Sequence, residues 1–181
     1  MSTYITPLSG TYAADPIHSS FGFAVKYMGV STFRGTLNSV DAKLEAGPGG
    51  SVLTGAAAVE SISIRNPEQF RAHVLGEQFF DAGTHPEITF NSDRVVLDED
   101  GSATIDGQLT IKGVARPVTA RGTWTSPTAD PMGHQRSHLA LEATVNRRDH
   151  GITWDVKMPS GDGALADDVS ITVELALVAQ E

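Results

Sequence analysis

Large and small side chains alternate along much of this chain. In the stretch SFGFAVKY, Phe21, Phe23, Val25 and Tyr27 fall on one face, and Ser20, Gly22, Ala24 and Lys26 fall on the other. Near the opposite end, SITVELALV places Ile171, Val173, Leu175 and Leu177 in one phase. A period of two is the signature of an extended strand, whose successive side chains point to opposite faces. A chain written this way must build a sheet with one apolar face and then cover that face. The four large groups of the first stretch become either packed core or the wall of a cavity. Spacing alone leaves both open, with core the commoner fate of a buried aromatic.

The pattern repeats with short interruptions. A first strand is expected over about His18 to Met28, ended by Gly29, and a second over Ser31 to Leu44. Within the second, Phe33 and Leu37 keep one phase while Val40, Ala42 and Leu44 keep the other, so a bulge or bend is expected at Asn38-Ser39. The turn GPGGS leads to a third strand, Val52 to Ile64. One helix follows. Asn66-Pro67-Glu68-Gln69 reads as a cap, a proline at the first helical position and a glutamine at the third. Phe70 and Val74 then share a face, and Gly76 is the stop. Further strands are expected at about Glu87 to Leu97, Thr104 to Ile111, Val118 to Thr125, around Leu139 to Val145, and at the last stretch, with Lys112-Gly113 as a tight turn. About eight strands with short turns and no βα rhythm indicate an antiparallel sandwich or barrel.

The chain has 181 residues, enough for one domain with a substantial core and short for two, and residues 1–181 read as a single domain without linker or repeat. A barrel of about eight strands is just wide enough to be filled by its own side chains or to hold one small ligand. The apolar faces contain Gly35, Ala42, Gly55, Ala57 and Ala143, small residues that leave volume wherever they point inward. A formal net charge of -9 argues against nucleic acid and strongly anionic membrane surfaces as partners. The absence of cysteine removes disulfides, thiolate metal sites and cysteine nucleophiles. The opening MSTYITPLSGTYAADP has neither a basic start nor an apolar run, and no segment approaches a bilayer span, so the expectation is a soluble cytoplasmic protein without an integral membrane segment.

Candidate chemistry is sparse. Asp15, His18 and Ser19 have the residue types of a triad, but neighbours on a strand face opposite ways, so His18 is badly placed to activate Ser19. A hydrogen-bonded tie at the strand start is the better reading. His134 and His138 are four apart, yet Pro131 and Gly133 argue against the helix that would aim both at one metal. No metal site and no catalytic residue is assigned. His73, with Arg71 nearby, is placed either on a solvated helix face or at the barrel mouth near a polar head group. Phe70, Phe79 and Phe80 are expected to roof the barrel. Arg147 and Asp149 read as an ion pair at a strand end, and Trp154 has a ring for apolar space and an N–H for a polar partner.

Taken in order, several motifs make the chain resemble the YceI-like family, from about Tyr12 to Leu177. They begin with Asp15-x-x-His18-Ser19-x-Phe21 and Val30-Ser31-x-Phe33-x-Gly35, then Ser61-Ile62 with Asn66, His73, Phe79-Phe80-Asp81 and His85-Pro86-x-Ile88-x-Phe90. The turn region Gly107-x-Leu109-Thr110-Ile111-Lys112-Gly113-Val114-x-x-Pro117-Val118 follows. Asn146-Arg147-x-Asp149-x-Gly151-Ile152-x-Trp154 and Asp167/Asp168-Val169-x-Ile171 complete the set. Two departures stand out. Phe70-Arg71 occupies the place of an Arg-Asp pair common in the family, with one extra residue in the preceding turn, and Ala166 stands where a glycine is common.

The resemblance implies an all-β fold, an antiparallel eight-stranded lipocalin-like barrel with one helix inserted after the third strand. It also implies a long interior that takes an isoprenoid chain, homodimers, and no established reaction. The residues expected to contact such a ligand are Phe21, Phe23, Val25, Tyr27, Phe33, Phe70, His73, Phe79, Phe80 and Trp154. The function expected is binding, storage or transport of an amphiphilic isoprenoid, a quinone or prenyl phosphate, as bound ligand and without a separate cofactor, the partner being an isoprenoid or other long-chain amphiphile. The alternatives are an enzyme acting on a small hydrophobic substrate in the same cavity and an interaction module with a packed barrel.

Overall fold

The computed structural model describes residues 7–181; part of the N-terminal stretch just read for a leader lies outside them. Among the described residues the strands are β1 (Gly10–Ala14), β2 (Ser20–Tyr27), β3 (Ser31–Leu37), β4 (Val40–Gly47), β5 (Gly50–Ala58), β6 (Glu87–Leu97), β7 (Ser102–Ile111), β8 (Val114–Trp124), β9 (Thr128–Ala129), β10 (Gln135–Asn146) and β11 (Leu165–Ala179). One helix, α1 (Glu68–Leu75), lies between β5 and β6.

These segments occupy eight positions around a closed antiparallel barrel. β1 and β2 both pair with β11, at Tyr12↔Ala179 and at Val25↔Val169, so they are two halves of one interrupted strand. β3 pairs with β2, and β4 pairs with β1 and β5, so these too are halves of one bent strand. The break falls at Asn38-Ser39, where the change of phase in the sequence places it. Closure comes from β10 and β11, which pair continuously from Arg136↔Val178 to Asn146↔Asp168.

The helix therefore follows the fifth strand segment rather than the third. Two things account for the difference. β1 is a short five-residue segment ahead of the first strand read from sequence, and the bend divides the second. The third expected strand also ends early, at Ala58, where Val59–Ser61 form a 3-10 turn. The helix start differs as well. Asn66 caps nothing. Pro67 is the capping position, in extended conformation, and its carbonyl accepts the N–H groups of Phe70 and Arg71. The proline is thus half out of the helix, and the expected capping box is not formed. Gly76 ends the helix as expected, its N–H bonded to the His73 carbonyl.

The tight turn at Lys112-Gly113 is present, with both residues at positive φ, as a two-residue hairpin turn requires. Gly113 is also needed for space, because a Cβ there would lie 2.5 Å from the His85 ring.

The barrel is packed solid at one end. Tyr12, Leu44, Trp124, Leu139 and Leu177 are buried there, and the Trp124 indole N–H donates to the Asp98 carbonyl at 2.9 Å. Outside this end, Asp15 ties two loops together. It accepts from His18 Nδ1 at 2.8 Å, the Ile17 N–H and Arg136 Nη1, while Arg136 Nε donates to Asp130 at 2.7 Å. Ser19 Oγ accepts the Ala176 N–H and is no nucleophile for His18. The trio is a strand-start tie, remote from the open end.

His18 and the Ile17 N–H hold the Asp15 carboxyl well below the usual range, and Arg136 does the same for Asp130. Carboxyls depressed in the folded state stabilise it above their unfolded value, about 3.9, and that contribution is lost as pH falls through the native values. Urea midpoints are expected to fall steadily below about pH 4. Arg136→Met should flatten that slope, and an unchanged slope would show that this network does not couple folding to pH.

Candidate functional site

At the other end the barrel is hollow. A cavity of about 430 Å³ opens between the inner faces of β2, β3, β10 and β11, the helix α1 and the segment from Arg147 to Leu165. That volume lies within the ~300–1,000 Å³ typical of small-molecule sites. Its wall contains all ten residues singled out from the sequence: Phe21, Phe23, Val25, Tyr27, Phe33, Phe70, His73, Phe79, Phe80 and Trp154. The alternation in β2 explains four of them. A single inward phase carries Phe21, Phe23, Val25 and Tyr27 from the barrel centre to its rim.

Two aromatic groups shape the opening. Phe70 meets Phe33 edge-on with ring centroids 5.7 Å apart, Phe33 meets Phe23 at 5.9 Å, and Phe23 meets Phe80 at 5.9 Å. His73, Phe79 and Trp154 form a triangle with centroid separations of 5.0, 5.5 and 5.2 Å. The Phe23 ring lies across the strand pair on Gly35, where a Cβ would sit 2.5 Å from the ring. Gly35 therefore seats an aromatic instead of leaving a void. Ala42, Gly55, Ala57 and Ala143 line a second, deeper cavity of about 90 Å³. Phe70 remains 40% exposed, at the rim.

The gap between β3 and β5 is bridged by little sheet: Leu37↔Ile62 is an isolated bridge, and Ser63 and Thr36 exchange hydrogen bonds. The helix fills it. Arg71 fastens the helix there, donating to the carbonyls of Glu60, Ile62 and Ile64. Arg71 is thus an anchor and not a head-group contact. Its place in the altered helix motif is explained by this anchoring.

The long segment after β10 crosses the open end and is held by a second arginine. Arg147 is 4% exposed. Its Nε donates to Ala166 O, Nη1 to Ile152 O and Trp154 O, and Nη2 to Leu165 O and Asp155 Oδ2. A guanidinium has five N–H donors, and all five are used. Burial lowers its pKa and Asp155 and Asp167 oppose that effect. The ion pair expected between Arg147 and Asp149 is replaced by pairs with Asp155 and Asp167, at 3.4 and 3.6 Å. Asp149 lies inside the 3-10 turn Arg147–His150 and makes no ion pair with the guanidinium. Arg148 reinforces the same two carboxylates. Lys112 donates to the carbonyls of Glu77 and Gly151, joining the β7–β8 turn to both flanking loops.

Sequence reasoning missed several wall residues, among them Ile88, Ile111, Val145, Ile152 and Ile171. All but Ile152 belong to alternating strands, and their inward phase was the available signal. It also missed His150, which is 2% exposed and lines the cavity. Its Nδ1 faces the Val114 carbonyl at 2.9 Å. A carbonyl only accepts, so Nδ1 carries the hydrogen, and in the neutral ring Nε2 is an acceptor. No periodicity marks a histidine in a short turn.

A hollow antiparallel barrel with an apolar interior, capped by a helix and an arginine-stapled segment, defines a lipocalin-like cavity protein. The chain matches the YceI-like domain over residues 12–177, and it belongs to that family. A UPF0312 protein of Pectobacterium atrosepticum is 27% identical over 167 residues, covering 91% of this chain and 83% of the relative. Among solved structures, Burkholderia cenocepacia BcnA superposes with a TM-score of 0.73 at 23% identity, over 92% of this chain and 99% of that one. A polyisoprenoid binding domain from Saccharophagus degradans does so with a TM-score of 0.69 at 12% identity, over 93% and 98%. No helix among the described residues is long and apolar enough to cross a membrane.

Proposed function

We propose that this protein carries an amphiphilic isoprenoid with a neutral head group, burying its tail in the 430 Å³ cavity and performing no reaction on it. The observation that carries this reading is the hollow itself, walled by side chains that offer a tail contact but few polar partners. Removing a hydrocarbon from water is favourable by about 0.8 kcal/mol per CH₂, and part of that gain is lost to the cost of association. The likeness to a polyisoprenoid binding domain supports the same ligand class.

The head group follows from the cations. Arg147 is the cationic side chain in the wall, and its donors are all taken. Arg71 and Lys112 are turned to backbone carbonyls. Among the described wall residues a buried phosphate would meet no arginine or lysine with a free donor, at a large desolvation cost. His73 and His150 offer a neutral oxygen function hydrogen-bonding partners. A quinone or quinol fits better than a prenyl phosphate.

Organic extraction of freshly purified protein, followed by mass spectrometry, is expected to release isoprenoid near one molecule per barrel. Lipid-stripped protein should bind a long-chain quinone and discriminate against a prenyl phosphate of equal length. Failure to retain or bind any isoprenoid would leave the barrel an interaction module and sink the carrier reading. Preference for the phosphate would overturn the neutral head group alone.

A further inference from the structure

The two cavities lie end to end inside the barrel and share three wall residues, Phe21, Ile88 and Ile171. The deeper one is bounded by inward residues of every strand position, including Ala57, Ala120 and Leu141. Phe21 is the largest of the three shared side chains and is itself buried. It stands on β2 opposite Leu37 and Val173, so its ring projects between the two spaces from the strand that also leads to the rim.

We infer that Phe21, with Ile88 and Ile171, is the stop that sets how long a tail the barrel accepts, an inference that rests on the carrier reading above. Six residue steps separate Phe21 from Tyr27 at the rim. At about 3.3 Å per residue and a strand tilt near 40°, the waist lies roughly 15 Å below the rim. An extended isoprene unit has four chain bonds and spans about 5 Å, so roughly three extended units reach the waist. Below it, the space of about 90 Å³ is small and apolar, the kind of void that stays dry. A longer tail must therefore fold back in the upper cavity or leave its end outside. Removing the Phe21 ring would merge the two spaces and let the tail continue inward along the small residues Ala42, Gly55 and Ala143.

The test uses lipid-stripped protein and prenyl alcohols of two, three, four and five isoprene units, with dissociation constants read by displacement of a fluorescent fatty acid. Wild-type affinity should rise with length to about three units and then level off. In Phe21→Ala the plateau should move to four or five units, with about a tenfold gain for the added length. Phe21→Leu and Ile88→Ala, which thin the waist by different amounts, should shift it in the same direction; near-ultraviolet circular dichroism reports that each variant is folded. An unmoved plateau in folded variants would remove Phe21 as the stop while leaving the carrier reading intact. Absence of binding at every length in the wild type would instead remove the carrier reading, and the stop with it.

Discussion

Val25→Trp should empty the protein of lipid and leave the barrel standing. Val25 is buried, paired with Phe33 on one side and Val169 on the other, and its side chain lines the larger cavity. An indole at this position grows into free volume, so it meets less of the overpacking strain that costs about 1–3 kcal/mol in a filled core. Isoprenoid recovered per mole of protein should fall by about tenfold or more, with the urea midpoint changed by less than about 1.5 kcal/mol equivalent. Leu139→Trp is the matched contrast. Leu139 sits in the solid end, wholly buried against Trp124 and Leu175, where an indole has nowhere to go. That variant should lose stability instead of lipid. A folded Val25→Trp protein with wild-type lipid content would show that the tail does not run past this residue.

Arg147→Ala should be the most damaging single change on the surface of the cavity. From the turn after β10, the guanidinium satisfies four carbonyls and a carboxylate in two places, the crossing segment and the start of β11. Truncation leaves those acceptors facing each other and Asp155 without its buried partner. Breaking a buried ion pair by removing one side costs about 3–5 kcal/mol, a large share of the 5–15 kcal/mol that keeps a domain folded. Arg147→Lys keeps the charge but has three donors from a single point, so it should recover only part of the loss. Chemical denaturation measures both. A loss under about 1 kcal/mol for the alanine variant would mean that water replaces the guanidinium without penalty.

The alternating strands were readable because their period is set by backbone geometry. One phase in β2 was enough to place Phe21, Phe23, Val25 and Tyr27 along one cavity wall. The break at Asn38-Ser39 was also visible, as a slip of phase between Leu37 and Val40. What could not be read depends on contacts distant in sequence. β1 is held by pairing with β4 and β11, a partnership that a five-residue segment does not advertise. The partners of Arg147 lie from five to twenty residues away, in an irregular segment and at the start of β11, so the nearby Asp149 looked the natural choice. Asn66 and Pro67 carry good helix-start chemistry, yet the helix begins one residue later than they indicate, because Pro67 stays extended.

The pairing of the first and last strands has a consequence for how the protein is made. Tyr12 lies beside Ala179, and β10 closes against the whole length of β11. Until β11 has been synthesised, the growing polypeptide is an open curved sheet with its apolar face toward water and two unpaired edges. Contacts this distant along the chain form slowly. The hollow thus closes only once β11 is in place, and on the carrier reading proposed above a hydrophobic ligand enters after translation has passed β11.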